Sequence, residues 1–522
     1  MERGIMFTRR ASGLVRELTW VDIFIFCIAG PAASGINFFS VSTAAENPGG
    51  SIGVAFAIGL FLFLPIMICI AITTSAMPRS GSLYITVSRV LDPALGFFGG
   101  WMVLWGYGLA IGVLGYIVTG IIGGGFVLAG KAGGMPGLVG IGETLGTTIG
   151  QTIGGIVWTI FFWALTRLGI RSVKWTMRIL FAIPFVATAI AVLYFVMTSP
   201  ASAEAAFNAK WGAGAFQAII DAAKEQGWSP APFSWSSTFN LLLVVIWAYT
   251  AIETMNYAGG EIKSPKTSML KGFGWGGLAV GLMYFIVALT VYFPYGQFIP
   301  AYDFLYDNAR EVLEEIMPAI SPSVPFYAAS LISPPWLGLV VVVSIALWFA
   351  NSILPIFLSN SRLIFAMAMD RALPEFLADV DEKRGTPTWA AHLTCLFGLF
   401  GVAIMRFGWA PLLGILNIGI LFIMWGYGLA AMLLPYRKPE LYELSAVKYD
   451  VAGIPLVSIL GFITFVLGIF FMMMSIMPFD NASMLTVLAI MALGFLIYFY
   501  QVHKCKKAGI DLSQIYAVLP PE

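Results

Sequence analysis

The sequence predicts an all-α integral membrane protein of twelve transmembrane helices, and three observations predict it. Of its 522 residues, 59% are hydrophobic and only 11% charged, with a mean hydropathy of +0.87. That is more apolar surface than a soluble chain of this length hides beneath a polar exterior. Apolar stretches, each long enough to cross a hydrocarbon core roughly 30 Å thick, fill almost the whole chain. Finally, Lys and Arg gather in alternate loops, the bias that sets the orientation of membrane helices.

In order, the stretches run roughly over 19–44, 50–76, 95–128, 147–166 and 174–197, then 236–260, 272–296, 324–358, 388–405, 410–434, 455–477 and 482–502. Each is read as a helix because only helices and closed barrels satisfy their backbone in lipid, and the short alternating segments of barrel strands are absent. Arg3, Arg9, Arg10 and Arg16 lead into a full-length first span, which does not fit a short cleavable signal. Arg79 and Arg89 follow the second span, and Arg167, Arg171, Lys174 and Arg178 the fourth. Lys263, Lys266 and Lys271 follow the sixth, and Arg362, Arg371, Lys383 and Arg384 the eighth. Arg437, Lys438 and Lys448 follow the tenth, and Lys504, Lys506 and Lys507 the twelfth. Only Lys131, Lys210, Lys224, Arg310 and Arg406 fall on the opposite side, so both termini are expected in the cytoplasm.

Two outer loops are long. In residues 200–235, Gly214–Lys224 reads as a short amphipathic helix, and in residues 297–323 so does Asp307–Ile316. They suit either a lid or surface packing over the bundle. Gly146, Gly150 and Gly154 recur every four residues in the fourth span, a small-residue spacing that lets helices approach closely. Spans eleven and twelve carry no polar interruption and are expected to meet lipid or a sister subunit.

Several functions are excluded. A net charge of +1 with scattered basic residues leaves no nucleic-acid face. Two histidines and four cysteines offer no metal-ligand spacing, and Cys27, Cys69, Cys395 and Cys505 suggest no disulfide framework. No phosphate-binding Gly-x-x-x-x-Gly-Lys-Ser/Thr run is present, so ATP hydrolysis within the chain is not expected. No cofactor is expected either. An embedded enzyme needs several polar groups at one depth, whereas Glu253 is the only carboxylate placed near the centre of a span and no His or Asp lies near it in sequence. A nutrient sensor would add a signalling tail, and only a short one follows the last span.

Two spans, five apart, are interrupted. The first reads Cys27-Ile-Ala-Gly-Pro-Ala-Ala-Ser-Gly-Ile36 and the sixth Trp247-Ala-Tyr-Thr-Ala-Ile-Glu253. Breaks at corresponding places in two halves mark the binding site of a secondary transporter. A half-helix N-terminus offers bare N–H groups to a carboxylate, and a half-helix C-terminus offers carbonyls to an ammonium. Two such breaks hold an amino acid without dedicated charged side chains.

The segments between spans resemble the amino acid–polyamine–organocation transporter superfamily. Met77-Pro-Arg-Ser-Gly-Ser-Leu-Tyr-Ile-Thr-Val-Ser-Arg-Val-Leu-Asp-Pro-Ala-Leu-Gly-Phe-Phe-Gly-Gly-Trp101 is similar to the family's loop after its second helix. Gly260-Glu-Ile-Lys-Ser-Pro-Lys266 resembles the end of its sixth helix. Ser361-Arg-Leu-Ile-Phe-Ala-Met-Ala-Met-Asp-Arg-Ala-Leu-Pro374, with Gly385-Thr-Pro387, resembles the loop after its eighth. Three motifs in the family's order cover roughly residues 15–440. The resemblance implies a five-plus-five inverted repeat followed by two C-terminal helices. Its parts would be an N-terminal segment 1–18, a first repeat 19–197, an outer loop 198–235, a second repeat 236–434, helices eleven and twelve within 435–502, and a cytoplasmic tail 503–522. It further implies an amino acid permease of the plasma membrane working by alternating access.

The resemblance also carries roles onto residues. Ser34 and Gly35 match the motif whose hydroxyl and amide bind a substrate carboxylate, the alternative being a packing kink. Pro31 falls where a carbonyl meets the amino group, and its ring cannot complete the helix ladder. Trp247 matches the aromatic cap of the arginine/agmatine antiporter branch, or it packs in the core. Thr250 matches a carbonyl facing the amino group. Ala33 and Ala251 stand where the family usually has Gly; each methyl narrows the site and disfavours positive φ. Glu253 is the sharpest residue, since an acid inside a span marks a functional site. In the resembling antiporters the matching glutamate is linked to protons; the alternative is a neutral acid bonded to freed backbone. Ser359 and Ser361 match positions that coordinate Na⁺ in sodium-coupled relatives of this fold, or they bond back to their own helix. The lysine that some proton-coupled members carry in span five is replaced here by Ile183-Pro-Phe-Val186. Trp247, Tyr249, Ile252, Met255 and Tyr257 give the presumed pocket an apolar and aromatic character. A neutral or apolar amino acid is therefore expected over an arginine, with proton or sodium as coupling ion. An amine or polyamine exchanger is the alternative.

Overall fold

The computed structural model describes residues 13–477 and 479–520, so Arg3, Arg9 and Arg10 of the N-terminal segment lie outside the described residues. Eleven helices among these are long and apolar enough to cross a membrane. They are Trp20–Phe39, Ile52–Ala76, Pro93–Ala132, Thr148–Arg167, Ile170–Met197, Trp235–Tyr257, Pro265–Tyr295, Pro335–Met369, Thr388–Phe407, Leu456–Ile476 and Asn481–Lys507. The 28-residue helix Ala410–Arg437 stands where the tenth span is expected. The chain is thus a nearly all-α membrane protein, and the helices are numbered below in the order of the twelve expected spans. The strands among the described residues form two small hairpins, Val380–Asp381 with Thr386–Pro387 and Asp450–Val451 with Ile454–Pro455.

Several boundaries depart from the sequence reading, each for a local reason. The third helix has 40 residues, so at 1.5 Å per residue it reaches about 60 Å, far beyond the bilayer core. Its start is set by Asp92, whose carboxylate accepts the N–H groups of Ala94 (2.8 Å) and Leu95 (3.3 Å). The eighth span, expected from residue 324, is two pieces: a short helix Val324–Leu331 and a long one from Pro335 to Met369. Pro334 and Pro335 end one ladder and open the next, where a missing N–H costs nothing. The long piece then runs past its expected end, because buried Ser359, Asn360, Ser361 and Arg362 are helical rather than loop.

The glycine repeat is only partly in the fourth span. Gly146 ends a separate helix, Pro136–Gly146, and has open space around it. Gly154 does sit in the span, where a Cβ would lie 2.1 Å from Thr119 Oγ1 of the third helix. Closer approaches occur elsewhere: a Cβ on Gly112 would lie 1.9 Å from the Gly398 carbonyl, pressing the third helix onto the ninth. Helix eleven packs on the tenth through Gly461 and Gly428, while Phe462, Val466 and Phe470 on its other face are exposed.

The two long loops form a helical layer. The expected helix at 214–224 is Ala215–Glu225, burying Phe216 and Ile219. The one expected over 307–316 is split at Ala309 into Phe298–Asn308 and Arg310–Ile316. Phe298 stacks on Phe216 with ring centroids 4.3 Å apart. Lys210 Nζ donates to the Ala329 (2.6 Å) and Ile332 (2.7 Å) carbonyls, covering the end of helix Val324–Leu331. Asp303 is buried at 1% exposure, and its Oδ2 accepts the Ala45 N–H at 3.1 Å, pinning this layer to the segment after the first helix.

At the opposite end of the bundle, two arginines read from the sequence as loop charge are buried in ion pairs. Arg362 Nη2 meets Glu261 Oε1 at 2.6 Å, and Arg89 grips both carboxylate oxygens of Asp370. The Glu261 carbonyl also accepts the N–H groups of Glu17 (2.9 Å) and Leu18 (3.0 Å), tying the N-terminal segment to the chain after the sixth helix. Removing one partner of such a pair strands the other charge. Arg362→Met is therefore expected to cost roughly 3–5 kcal/mol, and adding Glu261→Met to recover most of it; thermal unfolding in detergent measures both, and equal loss in the two variants refutes the pairing.

Burial also pushes the Asp303 carboxyl up to about 7, against roughly 3.9 in an unfolded chain. The fold therefore prefers the neutral acid, so the stability this group contributes is full at low pH and lost as pH rises from about 4 through about 7. Asp303→Asn is expected to flatten that decline in melting temperature, and an unaltered slope would contradict it.

Candidate functional site

The sixth helix breaks where the sequence predicts. Helix Leu242–Tyr249 ends, Thr250 is extended (ψ 159°), and Ala251 turns the chain at φ +68°. Glu253 follows, then 3₁₀ turns at Thr254–Tyr257 and Gly259–Glu261. A break inside lipid frees carbonyls that need partners, and hydroxyls supply them. Tyr284 of the seventh helix donates to the Ala248 carbonyl (2.7 Å), and Thr250 Oγ1 to that of Trp247 (2.7 Å). Thr254 Oγ1 donates to Ala251 (2.9 Å), and Ser359 of the eighth helix to Thr254 (2.8 Å). The Ala251 carbonyl lies against Gly30 of the first helix, where a Cβ would come within 2.3 Å of that oxygen.

The first helix differs from its expectation. It does not unwind near Ser34; the α-helix Trp20–Ser34 passes directly into a π-helical turn, Gly35–Phe39. Pro31 stays within the helix, and the Gly35 N–H, expected to be open to a carboxylate, donates to the Ala32 carbonyl. Short side chains complete this widened turn. Ser34 Oγ reaches the Pro31 carbonyl (3.4 Å), Asn37 Nδ2 the Ala33 carbonyl (3.0 Å) and Ser40 Oγ the Gly35 carbonyl (2.8 Å). These bonds meet carbonyls at 31, 33 and 35, where the ladder changes from α to π spacing, and π turns of this kind often mark functional sites. Gly35 must be small, since a Cβ there would strike the Tyr284 ring at 2.3 Å.

Around these segments Ser34, Phe38, Trp247 and Thr250 are half-buried, whereas Pro31, Ala33, Gly35, Ala251 and Glu253 are buried. The aromatic pocket read from Tyr249, Ile252, Met255 and Tyr257 is corrected: each is at most 2% exposed and packed into the bundle. Tyr249, for instance, stacks on Phe63 and donates to the Phe56 carbonyl at 3.1 Å. Of the five, Trp247 alone keeps an accessible face.

Glu253 is 3% exposed and accepts the phenol hydrogen of Tyr107 from the third helix. Below it a polar cluster joins four helices: Asn256 Nδ2 donates to the Tyr427 hydroxyl (2.6 Å), Thr74 donates to Asn256 Oδ1, and Tyr427 also meets Ser82. Ser361 Oγ donates to Leu358 (2.8 Å), and Ser359 also donates to Pro355 (2.8 Å), so both serines bond to helix carbonyls. Ser352 Oγ donates to the Ala29 carbonyl at 2.6 Å, so the eighth helix holds the first as well as the sixth. Tyr107, Tyr284, Asn256, Ser352 and Tyr427 escaped the sequence reading. Tyr107 and Tyr427 could have been signalled by a polar group between two glycines, as in Gly106-Tyr107-Gly108 and Gly426-Tyr427-Gly428.

A family model described as amino acid permease matches residues 18–497. Among similar proteins is the branched-chain amino acid permease BcaP of Bacillus subtilis (strain 168), 22% identical over 514 residues and spanning 96% of each chain. Another is the methylthioribose transporter of the same organism, 22% identical over 500 residues and 94% of each chain.

Ala251 occupies a left-handed conformation that costs a non-glycine residue about 1 kcal/mol or more. Ala251→Gly is expected to be tolerated within about 1 kcal/mol, while β-branched Ala251→Val costs about 2 kcal/mol or more. Thermal unfolding of the pair checks this, and equal stability would refute the strain.

Proposed function

This chain belongs to the amino acid permease family, and we propose that it is a secondary active transporter of neutral or apolar amino acids. It is a multi-pass membrane protein that carries a small molecule rather than an enzyme. The observation that carries the finer reading is the sixth helix, broken at Thr250–Glu253 with a buried acid at the break. The π turn of the first helix packs against helix Leu242–Tyr249, and Ser34, Trp247 and Thr250 are half-buried there.

In this reading the substrate amino group meets carbonyls near Pro31, Ala33, Thr250 and Ala251, and its carboxylate meets Ser34 and Gly35. The first helix holds its amides within the ladder in the present conformation, so the carboxylate contact requires the π turn to open. Such turns interconvert with α geometry by shifting single hydrogen bonds, which suits a segment that moves in each cycle. Trp247 then covers the substrate. Transport follows from rocking one helical group against the other around this point, the two groups belonging to inverted five-helix halves within 19–197 and 236–434. With both termini inside, the site is reached from the outer face of the plasma membrane through the helical loop layer.

Glu253 is the proposed proton carrier. It is buried without a cationic partner among the described residues and accepts from Tyr107, so a change in its charge would favour a different arrangement of Tyr107 and the sixth helix. Ser359 and Ser361 face carbonyls of their own and the sixth helix, which supports proton coupling over sodium. The relatives' names support an uncharged or zwitterionic cargo: one is named for branched-chain amino acids, the other for methylthioribose.

Uptake into proteoliposomes of leucine, isoleucine, valine, arginine, polyamines and methylthioribose, with pH and Na⁺ gradients imposed separately, tests the proposal. Branched-chain substrates are expected to move with the pH gradient, and sole movement of arginine or methylthioribose would overturn the cargo. Glu253→Gln is expected to lose the pH dependence yet keep exchange, and an unchanged pH response would refute its role. Ser34→Leu is expected to abolish substrate-induced thermal stabilisation by filling the gap, and retained stabilisation would count against the site.

A further inference from the structure

The residues after the twelfth helix, read in the sequence as a cytoplasmic tail, are folded back against the bundle. Helix Asn481–Lys507 ends in a reversal: the Gly509 N–H returns to the Lys506 carbonyl (3.1 Å) and that of Ile510 to Cys505 (3.0 Å). Gly509 takes φ +72°, the left-handed turn that redirects a chain at a helix end. A short helix, Leu512–Ala517, then runs beneath the linker helix Ser82–Val90 that joins the second and third spans.

Four contacts fasten it there. The Arg89 guanidinium lies over the Tyr516 ring, 5.1 Å from its centroid. The Tyr84 hydroxyl, which donates to Asp370 Oδ2 (2.8 Å), lies 3.1 Å from the Tyr516 hydroxyl. The Val518 carbonyl accepts from Arg89 Nη2 (3.4 Å), and the Pro520 carbonyl from Arg79 Nε (2.6 Å). Ile515 and Tyr516 are buried, at 4% and 8% exposure.

The receiving linker is bound in turn to the inner half of the broken sixth helix. The Gly81 N–H donates to the Tyr257 carbonyl (3.0 Å), Ser80 bridges Ala258, and a Cβ on Gly259 would lie 2.8 Å from the Arg79 carbonyl. At its other end the tail hangs from the twelfth helix, which is anchored on the third. Trp101 Nε1–H donates to the Ile490 carbonyl (2.9 Å), and Phe97 packs on Tyr498 with centroids 5.1 Å apart. Residues 512–520 therefore tie the end of the twelfth helix, itself anchored on the third, to the linker and, through the linker, to the inner half of the sixth helix.

We propose that residues 512–520 are an intramolecular latch: they strap the linker and the inner half of the sixth helix to helices three and twelve, and must detach before the cytoplasmic side opens. The proposal rests on the alternating-access reading above. Its parts suit release rather than permanent burial. Backbone carbonyls facing two arginines, and one aromatic ring under a guanidinium, exchange readily for water, whereas the Arg89–Asp370 pair beneath remains intact without the tail.

The test is amide hydrogen exchange of the full chain in lipid nanodiscs, compared with a truncation after Ala508 and with Tyr516→Ala. Both variants are expected to exchange roughly tenfold faster over 79–91 and 254–263, with helix Phe298–Asn308 on the outer face unchanged. Their initial uptake rates in proteoliposomes are expected to rise. Unaltered exchange in the two inner segments overturns the latch, as does protection lost equally on the outer face, which would mark a general prop. Local loosening with no change in a measurable uptake rate overturns its gating role. Local loosening in a protein that carries no amino acid supports the latch while failing the transport reading.

Discussion

A peptide carbonyl without a partner in hydrocarbon costs several kcal/mol, and the sixth helix releases several of them at one depth. The rest of the bundle is arranged around satisfying that demand. Hydroxyls from Thr250 and Thr254 act within the segment, Tyr284 reaches in from the seventh helix, and Ser359 from the eighth. Gly30 lets the first helix come close enough to cover the Ala251 carbonyl. Ser352, seven positions before Ser359 and so on nearly the same face, holds the Ala29 carbonyl. The eighth helix is thus a rail of hydroxyls against which both functional helices lean, through single hydrogen bonds of the kind that break and re-form during a conformational change.

The polarity of the interior follows depth. Around Glu253 the partners are neutral: the phenol of Tyr107, and below it Asn256, Thr74, Ser82 and Tyr427. Among the described residues, fully buried ion pairs lie at the end of the bundle that carries the linker, as Arg362 with Glu261 and Arg89 with Asp370. This ordering is physical. A lone acid at mid-depth is tolerated while it can exist without charge, whereas arginine is always charged and needs a carboxylate when buried. Glu253 and Glu261 both lie on the chain between Ala251 and Ile262, so that one segment carries an acid in the neutral layer and another in the charged one.

Much of this was legible from residues. The apolar stretches and loop charges located the spans, and the run Trp247–Glu253 located the true break. Ala251 was already suspect as a methyl where positive φ is wanted, and it does hold φ +68°. The first helix was misread because a proline and two small residues resemble a break, yet Asn37 and Ser40 sit at distances that complete a π turn. The apolar aromatics after Trp247 were assigned to a pocket because sequence reveals character but not facing. Once the helix is broken, the 3.6-residue period no longer predicts direction, and Tyr249, Met255 and Tyr257 turn into the bundle. Likewise Arg89 and Arg362 read as loop charge, but their burial depended on carboxylates 281 and 101 residues away.

What the sequence determined by itself was the solvent: lipid for the long apolar helices, water for the loops between them, and one acid placed where neither suits it. These follow from composition and local order, since transfer energies add along the chain and loop charge acts segment by segment. Tertiary structure alone decided which carbonyls are met, which faces are hidden, whether the first helix opens or widens, and where the C-terminal residues lodge. Those outcomes are set by contacts between distant parts of the chain. A hydrogen bond needs both groups within about 3 Å, and no local pattern specifies the second one.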